Sequence, residues 1–191
     1  MRYHPDHKLE THQKIVNDAS RRFRSEGLAG AAVAAVMRDS GLTHGGFYKH
    51  FESKDELLFE SLSQAFRDIS ERLTEAAEHA PPRTAWKAIV KAYLSPEHCD
   101  HAEWGCPLAA LASELARADK RMKVKIGGEL RRYTTRILPF MPGRRTADKE
   151  RAFLLIYSTM LGAMAIARIL PDGDNRAAVL ANARDFLLGS F

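Results

Sequence analysis

The stretch that decides the fold is Gly41-Leu42-Thr43-His44-Gly45-Gly46-Phe47-Tyr48-Lys49-His50-Phe51-Glu52-Ser53, with Lys54 directly after it. Gly41 is typical of a tight reversal of the backbone, and Thr43 can cap a short helix. Ser53 and Glu56 then fit a capping box that begins a further helix. Because a short exposed helix between two longer ones fits the major groove of DNA, the stretch predicts a helix-turn-helix.

Two side chains within this stretch are expected to face inward. Leu42 and Phe47 are the apolar positions that would hold the short helix against its neighbours. The adjacent glycines cost roughly 1 kcal/mol each relative to alanine in a helix, which makes sense where the backbone must approach base edges closely. Tyr48, His50 and Lys54 are of the types that bind phosphate. The residues left facing the groove are Thr43, His44, Gly45, Gly46, Tyr48, Lys49 and His50.

Apolar residues at helical spacing predict helices along most of the chain, and strand signals are lacking. Gly27 is expected to close the first helix, and Pro81 and Pro82 to end a long fourth one. The predicted fold class is therefore all-α, with about nine helices. Their predicted positions are about 15–27, 33–37, 43–50, 54–79, 84–94, from 107 onward, 119–138, 146–170 and 174–188, with a loop over 95–105.

Composition and charge narrow the class of protein. The sequence shows neither an apolar leader nor a membrane span, and two cysteines make no disulfide framework, so we expect a cytoplasmic location. The net charge is +5, and residues 1–54 carry nine Lys and Arg against six Asp and Glu. Such charge also fits a solvated basic surface, so it supports DNA binding without establishing it. Five histidines could add charge near phosphates: His4, His7, His12, His44 and His50.

The pattern Gly41-Leu42-Thr43-x-Gly45-x-Phe47-Tyr48-x-His50-Phe51-x-Ser53-Lys54-x-x-Leu57 resembles the DNA-binding region of TetR-family transcriptional repressors, and the likeness extends over residues 11–58. The resemblance implies an all-helical fold that agrees with the helix count. It also implies a helix-turn-helix DNA-binding domain at 1–53 and a larger ligand-binding and dimerisation domain at 54–191. The helix at 54–79 would connect the two.

Carried over by position, the resemblance places Tyr48, His50 and Lys54 on phosphates of double-stranded DNA. The residues that it places near bases or backbone are Thr43, His44, Gly45, Gly46 and Lys49. The second helix departs from the family pattern, because alanines stand where members often carry a phosphate-binding hydroxyl: Ala31, Ala32 and Ala34. These alanines leave open an alternative from another class, a helical dimer that binds a protein partner without DNA.

The resemblance also implies that the last two helices pair with their copies in a homodimer. It implies a pocket among helices four to eight for a small-molecule inducer of unknown class. Apolar and aromatic residues at helical spacing equally fit an ordinary core, so both interpretations stay open. The candidate pocket residues are Phe66, Trp86, Tyr93, Trp104, Cys106, Met122, Phe153, Tyr157 and Met160.

Cys106 is expected at the N-cap of a helix that begins with Pro107, where unpaired amides and the helix dipole favour a thiolate. The segment around it resembles one branch of the family in which a thiol senses electrophiles or oxidants. A small buried thiol that merely packs is the alternative. A metal site is a further hypothesis, and its possible ligands are His98, Cys99, Asp100, His101 and Cys106. Their spacing is not that of a structural metal site, so we predict no metal or cofactor.

Enzyme motifs are absent from the sequence, including nucleophile elbows, phosphate loops and dinucleotide fingerprints, so we predict no catalytic residues. The predicted function is a ligand-responsive transcriptional repressor. It would bind an inverted-repeat operator as a homodimer and leave it when the inducer binds. The alternatives are a repressor that senses redox or electrophile signals through Cys106, and the protein-binding dimer.

Overall fold

The computed structural model describes residues 5–191, with side chains from residue 7 onward. His4 and the start of the predicted first domain lie outside the described residues. Between residues 5 and 191 the regular structure is helical and contains no strand. The all-α prediction is therefore confirmed, and so is the count of about nine helices.

The helices of the described chain follow one another through short connections. The α-helices are α1 (Pro5–Gly30), α2 (Val33–Asp39), α3 (Lys54–Glu78), α4 (Ala85–Tyr93), α5 (Pro96–Asp100), α6 (Pro107–Leu115), α7 (Lys120–Ile137), α8 (Thr146–Ile169) and α9 (Gly173–Ser190). Shorter 3₁₀ helices cover His44–Lys49, Pro82–Thr84, Ala102–Trp104 and Leu138–Phe140. We refer to residues His44–Lys49 as the 44–49 segment.

The 44–49 segment lies where the short third helix was predicted, but it is not an α-helix. It is a 3₁₀ helix of six residues, and the Thr43 hydroxyl at its N-cap makes no capping hydrogen bond. Two successive glycines, Gly45 and Gly46, explain the difference, because glycine disfavours the α-helix and short 3₁₀ runs tolerate it. The prediction of an exposed short helix holds, but the predicted cap by the Thr43 side chain was wrong.

The predicted loop over 95–105 was also wrong in part, because it contains α5 and the 3₁₀ helix Ala102–Trp104. The Ser95 hydroxyl accepts a hydrogen bond from the backbone N–H of His98 at 3.2 Å. Pro96 stands at the first position of α5. Serine followed by proline is an ordinary signal for the start of a helix, so this element could have been found in the sequence.

Two glycines take the positive φ that their predicted roles require, 78° at Gly41 and 74° at Gly27. Gly27 interrupts α1, but helical residues resume after it. The predicted cap of α3 is confirmed, because the Ser53 hydroxyl accepts a hydrogen bond from the Glu56 N–H at 3.2 Å. The Glu56 carboxylate accepts from the N–H of Glu52 at 2.6 Å, one residue before the position that a capping box prescribes.

Two hydrophobic clusters form the interior of the described chain. The first combines α1, α2, the 44–49 segment and the start of α3 with Leu111 and Leu115 of α6 and Met122 of α7, and so reaches well past residue 53. The second combines the rest of α3 with α4 and with α7 to α9. Because α3, α6 and α7 contribute to both clusters, these three helices join the halves of the molecule.

α8 is long and apolar enough to cross a membrane by length and composition alone, with a mean hydropathy of 1.7. Its buried side chains, among them Phe153, Ile156, Met160 and Met164, pack in the second cluster. The apolar residues that remain exposed lie on another face of the helix. Packing on one face and an exposed stripe on the other therefore account for the apolar composition of α8.

Candidate functional site

The 44–49 segment turns polar and small residues toward solvent. Phe47 is 2% exposed and lies in the first cluster, and the ring of Tyr48 packs edge-on against it with centroids 5.2 Å apart. Leu42 is half-buried against the same cluster. The predicted inward positions are therefore confirmed. The exposed residues are Thr43, His44, Gly45, Tyr48 and Lys49.

His50 and Lys54 are held more closely by the protein than the exposed residues are. The Nδ1 atom of His50 is buried without a hydrogen-bond partner in the described chain. Burial lowers the pKa of His50, and positive charge at His12, Lys8 and Lys49 lowers it further. The Lys54 ammonium donates a hydrogen bond to the Leu28 carbonyl at 3.1 Å. A phosphate oxygen near Lys54 would therefore compete with a backbone carbonyl of α1.

A cleft of about 800 Å³ lies between the start of α1 and the 44–49 segment. Three of its residues, Lys8, Thr11 and Lys14, belong to α1 and were not among the predicted DNA contacts. Their spacing of three residues places them along one helix face, a signal that could have been read from the sequence. The complete lining is His7, Lys8, Thr11, Lys14, Ser40, Leu42, Thr43, Gly46, Lys49 and His50.

The predicted pocket residues divide between three places. Trp104 is 47% exposed, and the guanidinium of Arg21 lies 4.0 Å from its ring centroid. Met122 lies in the first cluster. Tyr133, which was not predicted, packs its ring 5.2 Å from that of Tyr157. The predicted residues that the second cluster brings together are Phe66, Trp86, Tyr93, Cys106, Phe153, Tyr157 and Met160.

Cys106 lies inside this second cluster at the predicted N-cap of α6, with Pro107 at the first helical position. Its sulfur is 3.4 Å from the hydroxyl oxygen of Tyr157. Burial raises the pKa of Tyr93, Tyr133 and Tyr157 well above 10, and the neighbouring Cys106 contributes to each rise. The thiol is thus surrounded by neutral phenols in a closed core.

His98 fixes the backbone of Cys106. Its Nε2 accepts a hydrogen bond from the Cys106 N–H at 2.9 Å, so the proton is on Nδ1, which donates to the Tyr93 carbonyl at 2.6 Å. Burial lowers the pKa of His98 from 6.5 to about 3, which keeps the ring neutral. Both ring nitrogens are used within the protein, and no group of three potential metal ligands assembles in the described part of the chain. The geometry therefore contradicts the hypothesis of a metal site at His98.

Three guanidinium groups lie around the same core, with Arg24 buried and Arg72 and Arg168 half-buried. Arg24 of α1 donates to the Gly105 carbonyl at 2.9 Å, and burial lowers its pKa to about 10. Arg168 of α8 donates to the His98 carbonyl at 2.6 Å. Burial also lowers the pKa of Arg168 and of Arg72. The second cluster is therefore bordered by three positive charges.

α6 makes contacts with both halves of the molecule. Its first turn follows Cys106 in the second cluster, and near its other end Glu114 accepts a hydrogen bond from the Leu28 N–H at 2.9 Å. A Cβ on Gly27 would come within 2.9 Å of the Glu114 carboxylate, so the glycine permits this approach. A shift of α6 would consequently displace α1 near Gly27, where that helix is interrupted.

Large apolar side chains remain exposed on the last two helices. On α8 the exposed residues follow helical spacing, and Ile169 at its end is 80% exposed. Phe186 adds an exposed ring on α9. The complete stripe is Leu154, Leu155, Ile166, Ile169 and Phe186. Several large apolar side chains exposed on two adjacent helices are typical of an interaction face.

A helix-turn-helix half joined to a larger helical half defines a DNA-binding transcriptional regulator, and comparisons with known proteins bear this out. Residues 15–60 match the family model described as bacterial regulatory proteins, tetR family. The chain is 25% identical over 107 residues to the HTH-type transcriptional regulator LmrA of Bacillus subtilis. This match spans 55% of the chain and 57% of LmrA, so about half of the curated relative's length is represented.

Solved structures extend the likeness to nearly the whole chain. A TetR transcriptional regulator from Chloroflexus aurantiacus superposes with a TM-score of 0.76 at 26% identity, over 96% of this chain and 95% of that one. The reduced form of NemR from E. coli has the same fold, with a TM-score of 0.75 at 17% identity over 94% and 96% of the two chains. The chain thus matches the tetR family model over residues 15–60, and over nearly its whole length it is similar to solved TetR-family transcriptional regulators.

Proposed function

We propose that the chain is a cytoplasmic, ligand-responsive repressor that binds an inverted-repeat operator as a homodimer and is released by a small-molecule inducer. The observation that carries the proposal is the exposed 44–49 segment beside the lysines of α1. Buried Phe47 holds this segment outward. Exposed Tyr48 and Lys49 then meet the phosphates and base edges of a major groove.

The cleft between α1 and the 44–49 segment supports contacts to DNA phosphates by more residues than the sequence predicted. Lys8, Lys14 and Lys49 line it together. Lys14 is already paired with Asp18 at 3.0 Å, so Lys8 and Lys49 are the ammonium groups more available to an anion. We assign the cleft to one phosphate strand and the residues Thr43 to Gly46 to the base edges.

Homodimer formation would cover the exposed stripe of α8 and α9. A two-fold arrangement of these helices presents two 44–49 segments to successive turns of one DNA face, which matches an inverted repeat. The stripe includes Leu155 on α8 and Phe186 on α9, which are 55% and 66% exposed. Covering such side chains is favourable at roughly 25 cal/mol per Å² of apolar surface removed from water.

Release from DNA would start at the second cluster. An inducer that changes its packing would displace α6 and α3, which also contribute to the first cluster. Movement of α3 would carry the DNA-binding halves out of register with the two half-sites. Because Glu114 of α6 contacts α1, a displacement of α6 would also act on the DNA-binding halves directly.

The DNA half of the proposal is tested by selecting bound sequences from genomic fragments and measuring affinity against salt by fluorescence anisotropy. Lys49→Ala should weaken binding and reduce the slope of log affinity against log salt by about 0.9, the value for one lost phosphate contact. Lys91→Ala, at an exposed lysine of α4, is the matched control. Unchanged binding by Tyr48→Ala and Lys49→Ala would refute the assignment. A selection that returns no sequence would favour the protein-binding dimer.

A second candidate is an electrophile-sensing repressor, which the contact between Cys106 and Tyr157 favours. An enone would add across its double bond: the Cys106 sulfur bonds to the β-carbon, and the thiol proton passes to the α-carbon. The Tyr157 hydroxyl, 3.4 Å from the sulfur, is placed to hydrogen-bond during this addition. Cys106→Ser should abolish release from DNA by N-ethylmaleimide, whereas Cys99→Ser should not. Release that is the same in both variants would remove this candidate.

A further inference from the structure

A cavity of about 210 Å³ lies between α3 and α7, at the surface of the second cluster. Sites for drug-sized ligands have volumes of roughly 300–1,000 Å³, so this cavity suits a smaller molecule, about one ring in size. Its lining combines two aromatic rings with four charged side chains and a hydroxyl: Phe66, Tyr133, Arg67, Glu129, Arg132, Arg136 and Ser70.

The charges around the cavity are unbalanced. Glu129 is 5% exposed and forms an ion pair with Arg132. The other two guanidinium groups have neutral partners: Arg136 donates to the Ser70 hydroxyl at 3.1 Å and Arg67 to the Gln64 side-chain carbonyl at 2.6 Å. Among the described residues neither Arg67 nor Arg136 has a carboxylate within ion-pair distance. An anion entering the cavity would therefore find two unpaired guanidinium groups.

The inner wall of the cavity is aromatic. The rings of Phe66 and Tyr133 have centroids 6.1 Å apart. Tyr133 is 2% exposed, and its buried hydroxyl has no hydrogen-bond partner in the described part of the chain. An unsatisfied buried hydroxyl is costly, and in a native structure it calls for an explanation such as a bound polar group. Tyr133 also separates the cavity from the thiol and the guanidinium groups of the inner core.

We propose that the inducer of this regulator is a small aromatic carboxylate, bound with its ring on Phe66 and Tyr133 and its carboxylate on Arg67 and Arg136. This inference rests on the proposed function and specifies the chemical class of the ligand. The planar fork of arginine pairs with a carboxylate through two parallel hydrogen bonds. The cavity lining carries three guanidinium groups and the Glu129 carboxylate, so one bound monoanion leaves one excess positive charge.

Calorimetric titration of the full-length protein with benzoate, phenylacetate, phenyl phosphate and neutral benzamide tests the ligand class. Benzoate or phenylacetate should bind at least tenfold more tightly than benzamide. Arg136→Met keeps the aliphatic stem, removes the charge and should weaken carboxylate binding about tenfold. Arg136→Lys restores a point charge without the fork and should bind with intermediate affinity. Arg131→Met is the matched control, because Arg131 is exposed on the same helix and does not line the cavity.

Four outcomes would overturn the ligand class: no binding by either carboxylate, equal binding by benzamide, tighter binding by phenyl phosphate, and equal losses in Arg131→Met and Arg136→Met.

DNA affinity, measured on the genomically selected sequences, separates this inference from the proposed function. A protein that binds DNA but no carboxylate refutes the ligand class alone. A protein that binds benzoate through Arg136 and never binds DNA refutes the repressor. Benzoate binding that leaves DNA affinity unchanged refutes the role as inducer.

Discussion

Replacement of His98 by glutamine should flatten the dependence of folding stability on pH. The native ring is neutral, because it accepts from the Cys106 N–H and donates to the Tyr93 carbonyl in a dry core. Glutamine does not titrate, and its amide oxygen can still accept from the Cys106 N–H. The Tyr93 carbonyl would lose its donor, so the variant should be less stable than the wild type by about 1–3 kcal/mol near neutral pH.

The sign of the pH effect follows from the lowered pKa of His98. The unfolded chain binds a proton at the ordinary value of 6.5, whereas the folded chain does so at about 3. Between these values the unfolded state holds more protons, so the stability that neutral His98 confers is present above 6.5 and is lost as the pH falls. From about pH 7 to about pH 5 this loss amounts to about 2 kcal/mol.

Urea unfolding followed by circular dichroism, repeated over this pH range, measures the difference. The wild type should lose about 2 kcal/mol more than His98→Gln between the two ends of the range, because the contributions of carboxylates cancel in the comparison. His79→Gln, at an exposed histidine, serves as the control. If wild type and His98→Gln lose the same stability, His98 is not held neutral by the fold, and its assigned role at Cys106 is wrong.

Further predictions concern the two surfaces and the contact between the halves. Gly45→Ala should leave the free energy of unfolding unchanged or raised by up to about 1 kcal/mol, since a Cβ there meets nothing within 4 Å. Its operator affinity, measured by anisotropy, should nevertheless fall about tenfold if the backbone approaches base edges. Glu114→Ala should lower the free energy of urea unfolding by about 1–3 kcal/mol, because the Leu28 N–H loses its acceptor. Ile169→Asp should yield folded monomers in sedimentation velocity, because this residue is 80% exposed; an intact dimer would contradict the assigned interface.

The helix-turn-helix could be predicted because its residues have special backbone or packing requirements. Gly41 needs its positive φ, Ser53 caps the next helix, and Phe47 is the apolar residue among polar neighbours. Each requirement is local, so spacing alone reveals it. The bond from Lys54 to the Leu28 carbonyl could not be found in this way, because it joins residues far apart in the sequence.

The membership of the second cluster was less predictable, because helical spacing shows which face of a helix is buried but not which cluster that face packs against. Met122 has the same apolar character as Met160, yet it packs in the first cluster. Tyr133 was missed because the buried face of α7 includes the carboxylate of Glu129, which breaks the apolar pattern. The link from His98 to Cys106 depends on a turn through α5 and the next 3₁₀ helix, and no periodicity encodes that turn.

Arg24 of the DNA-binding half is buried and extends to the Gly105 carbonyl, one residue before Cys106. Glu114, near the other end of α6, holds the N–H of Leu28. Rotation of α1 away from Gly105 and α6 must break both contacts, and the buried Arg24 guanidinium would lose one of its acceptors, which is costly. The halves therefore cannot reorient freely, and the proposed inducer would have to move α6 together with α3. Because Cys106, the N-cap of α6, is held by His98 and lies 3.4 Å from Tyr157, the second cluster is the place where the proposed inducer would cause that movement.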